Sequence, residues 1–210
     1  MDAFAVALAS KDILSNFFGS MKIILDESFS QGDWIKTNSV EGTVIEIGLV
    51  NTKIRRFDNA MEVVPNGILA NTNVANWNRR KMGRRIKMTV GVTYKSKKED
   101  IQKALIELRE LFSNHPDIAQ PTYKDKSKRK SRGKILNYTD MEGIKNTQLI
   151  YLDNMSDSSI NILIYVFTKS TSWEKWLQVK EDINFKIWDI LENNNLEYAF
   201  PTQTIYLEKE

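Results

Sequence analysis

The chain has 210 residues, 41% of them hydrophobic and 27% charged, a balance that excludes a fully disordered polypeptide. It contains no cysteine and a single histidine, His115, so disulfides, thiolate nucleophiles and cysteine or histidine-cluster metal sites are excluded, and a Ser/His/Asp triad would have to be built on His115. The net charge of +3 is unevenly spread: Lys124 to Lys134 holds seven basic residues and one acid, and Trp77 to Lys87 holds six basic residues and no acid.

Ala3 to Ala9 is small and apolar all round, with Phe4 and Leu8 one helical turn apart. Small residues allow close helix approach, which suits either docking on the chain's own core or the end of a membrane or pore helix. No run reaches the roughly 18 apolar residues of a membrane span. A secretory signal is not expected, because Asp2 follows Met1 where a basic region would stand. Residues 10–27 read as an amphipathic helix with Ser10 as N-cap. Ile13, Leu14, Phe17, Phe18, Met21, Ile24 and Leu25 recur at three-and-four spacing on one face, and Asp12, Ser15, Asn16, Ser20 and Lys22 fill the other.

Residues 30–76 read as short strands. Gly32-Asp33 forms a turn before Trp34-Ile35, and Val40 to Ile47 is β-prone with Gly42 as an expected bend or bulge. Val50, Thr52 and Ile54 alternate with polar residues, the period of a half-buried strand. Phe57 to Ala60 turns, Met61 to Val64 is a strand that Pro65-Asn66-Gly67 ends, and Ile68 to Ala70 forms a helical turn. This density of short strands predicts a small barrel or sandwich.

From Arg84 the pattern changes. Ile86, Met88, Val90 and Val92 alternate as a strand with one apolar face, and Ser96 with Glu99 reads as a capping box. The helix that follows places Ile101, Ala104, Leu105, Leu108, Leu111 and Phe112 on one face and ends before Pro116, where His115 suits the negative end of the helix dipole. Residues 120–134 read as an exposed basic loop. Leu149 to Leu152 and Ile160 to Phe167 are strands, the second apolar on both faces and therefore central. Thr171 and Glu174 read as a second capping box for a helix to about Asn193 that turns Trp176, Ile183, Ile187, Ile190 and Leu191 inward. Gln203 to Leu207 is a last strand, completing the β-α-β-β-α-β order of a ferredoxin-like split βαβ unit.

Ala5 to Ala9 followed by Leu14 to Gly19, then Gly32-Asp33-Trp34-Ile35, Gly42-Thr43-Val44, Pro65-Asn66-Gly67 and Phe200-Pro201-Thr202-Gln203, resembles the small-conductance mechanosensitive channel family. Each motif alone is weak; the ordered set across nearly the whole chain is specific. The resemblance implies a homoheptamer in a bacterial inner membrane, whose pore opens under membrane tension to release ions and small solutes on osmotic downshock. It also implies an α+β organisation. Residues 1–28 would be a pore-helix end and amphipathic helix, 29–83 a small Sm-like β domain, and 84–199 a ferredoxin-like α/β domain. Residues 200–210 would carry the strand of an intersubunit barrel. Seven copies would enclose a cytoplasmic cage with side portals, and further membrane helices would lie upstream of the pore helix.

By the same resemblance, Phe4 and Leu8 fall on two apolar rings that seal the pore; a narrow apolar constriction gates by excluding water. The first ring is usually leucine, so Phe4 is a departure. Asp12 stands where some members bend at a glycine, and Asn16 lies in the segment that couples pore to cage. Pro65, Asn66 and Gly67 form the β-domain motif. Gln203, Thr204, Ile205, Tyr206 and Leu207 correspond to the seven-stranded parallel barrel. No cofactor is expected; the partners are further copies of the chain, the bilayer and the permeating solutes. The alternative is an RNA-binding protein, since Sm-like and ferredoxin-like folds both serve RNA and two basic clusters are present, although Ile160 to Phe167 lacks the aromatic and basic pattern of an RNA-reading strand. An enzyme is not expected, for want of a glycine-rich phosphate loop or a convergent acid cluster.

Overall fold

The computed structural model describes residues 3–80, 83–121, 130–131, 134–135 and 147–202, with the backbone alone for 3–9 and for the 130–135 pair. The chain divides into two compact units, residues 1–80 and 81–210, each with its own core.

The first unit opens with one continuous helix, α1 (Ala3–Leu25). Ser10 therefore lies inside the helix and does not cap it, because the small apolar residues before it continue the helical path. The helix ends as the backbone of Glu27 turns left-handed at φ 46°, with Ser28 N–H donating to the Ile23 carbonyl and Glu27 N–H to Ile24, the paired bonds of a Schellman ending. Strands β1 (Trp34–Lys36), β2 (Glu41–Ile47), β3 (Asn51–Arg56) and β4 (Met61–Pro65) follow, then the one-turn helix α2 (Asn66–Ala70) and β5 (Ala75–Asn76). They form a five-stranded sheet in the order β4-β3-β2-β1-β5. Thr52 and Ile54 point inward as the alternation predicts. The register shift falls between Val44 and Glu46 and not at Gly42, where the Arg55 carbonyl occupies the space of a Cβ. Ile23, Phe29, Ile35, Val40, Val44, Ile54, Val64 and Leu69 make the core.

The face that α1 buries is not its apolar stripe. Ile13, Leu14, Phe17, Phe18, Met21, Ile24 and Leu25 are all exposed, from 39% to 76%, while Ser20 and Ile23 are buried at 3% and 1%. Asn16, Gly19, Ser20 and Ile23 face the unit's interior instead.

The second unit contains β6 (Arg85–Val92), α3 (Lys98–Asn114), the short pair β7 (Lys130–Ser131) and β8 (Lys134–Ile135), β9 (Leu149–Met155), β10 (Ile160–Phe167) and α4 (Trp173–Asn193). The sheet order is β6-β10-β9, antiparallel throughout, so β10 is central as its hydrophobicity requires. Beyond α4, Tyr198 bridges Val92 on the other side of β6. Ile160, Ile162, Ile164 and Val166 on β10 join Ile86, Val90 and Val92, and both helices cover that face through Leu108, Phe112, Val179, Ile183 and Ile187.

Both expected capping boxes are displaced. Ser96 is taken up in a turn, its N–H donating to Thr93, so α3 begins later with Lys97 at the N-cap and no side-chain cap. At α4 the cap is Ser172, whose hydroxyl accepts from Lys175 N–H at 3.5 Å, while the Thr171 carbonyl accepts from Arg84 Nε at 2.8 Å. In the basic stretch expected to be a loop, Lys130↔Ile135 and Ser131↔Lys134 pair; the rest of Lys124 to Lys134 lies outside the described residues.

Candidate functional site

The Pro65-Asn66-Gly67 motif builds a rigid platform at the start of α2. Pro65 holds the N-cap position at φ −60°, a value its ring already imposes. Asn66 is fully buried. Its Nδ2 donates to the Gly48 carbonyl at 2.8 Å, its Oδ1 accepts from the buried Thr52 hydroxyl at 2.7 Å, and its backbone N–H donates to Val50 at 2.9 Å. One side chain thus fastens α2 to the β2–β3 connection and to β3, and leaves none of its own polar atoms unpaired in the interior.

Helix α1 lies directly on this platform. Asn16 Oδ1 accepts from the Gly67 N–H at 2.9 Å, satisfying a first-turn amide that α2 itself cannot. One turn further on, a Cβ at Gly19 would sit 2.7 Å from Asn66 C, Asn66 O and Gly67 N. The two backbones approach so closely because Gly19 has no side chain. Ile23 is buried beyond it, and Lys22 Nζ donates to the Ala70 carbonyl at 2.8 Å, so α1 is tied to the first and last residues of the α2 segment alike. A cleft of about 620 Å³ runs along the junction, lined by Asp12, Ser15, Asn16, Pro65, Gly67 and Asn71 among others. Among the described residues no group of three or more His, Cys, Asp or Glu is placed to hold a metal. Two hydrogen bonds and a backbone contact thus join α1 to α2, and Asn66 joins α2 to the sheet.

The sequence-derived residues fall as follows. Asn16 meets Gly67, and Pro65 and Asn66 hold that amide in place. Asp12 lies exposed within an uninterrupted α1, at the rim of the cleft. Phe4 and Leu8 lie on the α1 backbone, and their side chains are outside the described residues. Gln203, Thr204, Ile205, Tyr206 and Leu207 are also outside the described residues. Gly19, Lys22 and Thr52 join the site only in the folded structure. Gly19 carried a signal, since a mid-helix glycine costs about 1 kcal/mol relative to alanine and so implies a packing reason; Lys22 and Thr52 carried none.

Two other sequence features find structural uses. His115 is buried, and besides ending α3 it reaches α4: its Nδ1 accepts from the Asp117 N–H at 3.2 Å and its Nε2 lies 2.8 Å from Asp182 Oδ2, which also pairs with Lys186 at 2.6 Å. The Lys186 hydrogen bond, seconded by His115, holds the Asp182 carboxyl below its ordinary value against the opposing effect of burial. Within the basic stretch from Trp77, Arg79 donates to the Glu27 carbonyl, Arg80 stacks over the Trp77 ring at 4.0 Å, and Arg85 lies 5.8 Å from the Tyr165 ring. These arginines are engaged within their own unit.

Comparison with known proteins covers both units. The family profile for the mechanosensitive ion channel β-domain matches residues 12–79, and that for the mechanosensitive ion channel MscS C-terminal region matches residues 86–198. An uncharacterized MscS family protein of Helicobacter pylori is 49% identical over 209 residues, covering 97% of this chain and 34% of the relative. The low conductance mechanosensitive channel YnaI of Escherichia coli is 39% identical over 209 residues, covering 97% of this chain and 52% of the relative. The chain therefore spans between a third and about half the length of these curated relatives. Among solved structures, Helicobacter pylori MscS in a closed state superposes with a TM-score of 0.73 at 27% identity, covering 99% of this chain and 70% of that one. Arabidopsis thaliana MSL1 gives 0.76 at 20% identity, with 94% and 62% covered, a likeness of fold alone. The RNA-binding alternative finds no support in these matches. Among the described residues, no helix is long and apolar enough to cross a membrane.

Proposed function

Because the chain belongs to the MscS family of mechanosensitive ion channels, we propose that it is the pore-helix end and the membrane-distal part of a tension-gated channel subunit, releasing ions and small solutes on osmotic downshock. The observation that carries this reading is the seating of α1. The helix grips its own β unit through Asn16, Gly19 and Lys22, and from Ser10 onward turns every large apolar residue except Ile23 away from it. A helix so arranged can serve two masters: its apolar stripe packs against neighbours, and its small, polar face carries movement into the β unit.

In this reading residues 1–28 form the pore-helix end, 29–83 an Sm-like β domain, 84–199 a ferredoxin-like domain and 200–210 the strand of an intersubunit barrel. The sheet order β6-β10-β9, with Tyr198 bridging the far side of β6, supports the ferredoxin-like assignment, because a split βαβ unit places its third strand between its first and second. The five-stranded antiparallel sheet supports the Sm-like one. Seven copies assemble at a bacterial inner membrane through helices upstream of Ala3, with the region described here on the cytoplasmic side. Phe4 and Leu8 seal the pore, Asp12 stands at the position where a bend would form on gating, Asn16 couples the pore to the cage, and Gln203, Thr204, Ile205, Tyr206 and Leu207 close the base, which leaves no strand edge exposed.

Opening enlarges the area a channel occupies in the bilayer, so tension biases a two-state equilibrium in proportion to that expansion. Patch recording of the full-length channel tests the reading. Leu8→Ser is expected to hydrate the constriction and produce leak or a lowered threshold, and Asn16→Ala to alter closing or adaptation with conductance retained. Wild-type gating in both variants would refute it.

A further inference from the structure

The second unit contains a cleft of about 650 Å³ where four segments meet: the end of β6, the β9–β10 turn, the last turns of α4 and the returning chain at 196–202. Its lining is unusual for a surface cleft. Four aromatic side chains contribute, Tyr94, Trp188, Tyr198 and Phe200, and three carboxylates, Asp157, Glu192 and Glu197, stand against a single cation, Lys95. Aromatic rings present negative faces to a cation, and the excess of carboxylates adds to that field.

The aromatic groups are anchored. The Trp188 and Tyr198 rings meet edge to face with centroids 5.7 Å apart. Trp188 Nε1–H donates to Glu192 Oε1 at 2.5 Å, which places that carboxylate beside the indole. The Tyr94 hydroxyl donates to the Ser156 carbonyl at 2.6 Å, tying the end of β6 to the turn across the cleft. Trp188 and Tyr94 are nonetheless 53% and 51% exposed, so large aromatic surface remains open to a ligand. Burial, and then the charge of Glu192, keep the Tyr198 hydroxyl above its ordinary value, and that phenol stays neutral across the physiological range.

We propose that this cleft binds a small organic cation of the methylated ammonium class, held by the aromatic rings and by Glu192, Glu197 and Asp157. An apolar molecule would forgo the carboxylates, and a compact, strongly hydrated metal ion would forgo the rings. A methylated ammonium uses both, because its charge is spread over an apolar surface that sheds water cheaply. The proposal is independent of channel gating, since every residue it uses lies in the second unit.

Nuclear magnetic resonance on the 15N-labelled protein tests it through the five indole N–H signals, with that of Trp188 assigned by Trp188→Phe. Titration with tetramethylammonium chloride is expected to move the Trp188 signal saturably in the millimolar range, and sodium chloride at matched ionic strength is expected not to. Glu192→Gln, which retains an acceptor for the indole N–H, is expected to weaken binding about two- to fivefold. Tyr198→Leu is expected to weaken it by a similar factor, as for the loss of one ring. The proposal is overturned if the signal responds equally to sodium chloride, or if tert-butanol moves it at the same concentrations as its charged analogue. It is also overturned if the signal shifts with protein concentration alone, which would make the cleft a contact between copies.

Discussion

Replacing Gly19 by alanine separates packing from helix propensity, because the two oppose each other in sign. In an exposed helix interior the change stabilises by about 1 kcal/mol. Here the new Cβ would stand 2.7 Å from three backbone atoms of Asn66 and Gly67, against the 3.4 Å at which ordinary contact begins. Those atoms cannot swing aside, since Asn66 is held by Gly48, Thr52 and Val50. Helix α1 must retreat by about 0.7 Å, which stretches the 2.9 Å Asn16–Gly67 bond past useful length. That loss is about 1 kcal/mol, and overpacking adds about 1–3 kcal/mol. The helix-propensity gain is outweighed, and the junction is expected to lose about 1–3 kcal/mol in total. The first unit, residues 1–80, should lose about 4–8 °C in Tm for each kcal/mol, and the Gly67 amide should exchange faster with solvent. A raised Tm with undiminished Gly67 protection would refute the close-contact argument, for it would mean that α1 has room to spare.

Two further outcomes follow from other buried groups. Asn66→Ala would strand the Gly48 carbonyl and the Thr52 hydroxyl in the interior; a cost of about 2–4 kcal/mol is expected by chemical denaturation, and Asn66→Ala with Thr52→Val together should cost less than the sum of the two single changes. Asp182 has its pKa depressed in the folded state, so its contribution is complete above its unfolded value, about 3.9, and fades as pH falls through the lower folded value. Asp182→Asn should therefore flatten the Tm profile below about pH 4, and an acid limb unchanged by the substitution would remove Asp182 from the account.

Much of this architecture was legible in the residue pattern. The alternation of Ile86, Val90 and Val92 named the inward face of β6, and the two-sided hydrophobicity of Ile160 to Phe167 placed β10 at the centre. Both follow from a strand period of two, which depends on the backbone alone. The ordered motifs identify the family, and they include both Asn16 and the Pro65-Asn66-Gly67 turn that it contacts. Helix starts were less legible: the caps of α3 and α4 lie one residue beyond Ser96 and Thr171, where the Ser96 N–H closes a turn on Thr93 and the Thr171 carbonyl accepts from the Arg84 side chain.

The orientation of α1 was not legible at all. Helical periodicity assigns the inward side to the largest apolar residues, and it pointed to Ile13, Phe17, Phe18 and Leu25. The surface that α1 meets, however, is not a layer of side chains but the bare backbone at the start of α2. A backbone surface offers amides and carbonyls and demands close approach, so it selects Asn16, Gly19 and Ser20 and turns the bulky residues outward. That choice depends on Asn66 being pinned by Gly48 and Thr52, residues 18 and 14 positions away in the chain. Local pattern carries no information about contacts of that range, which exist only once the sheet has closed around them.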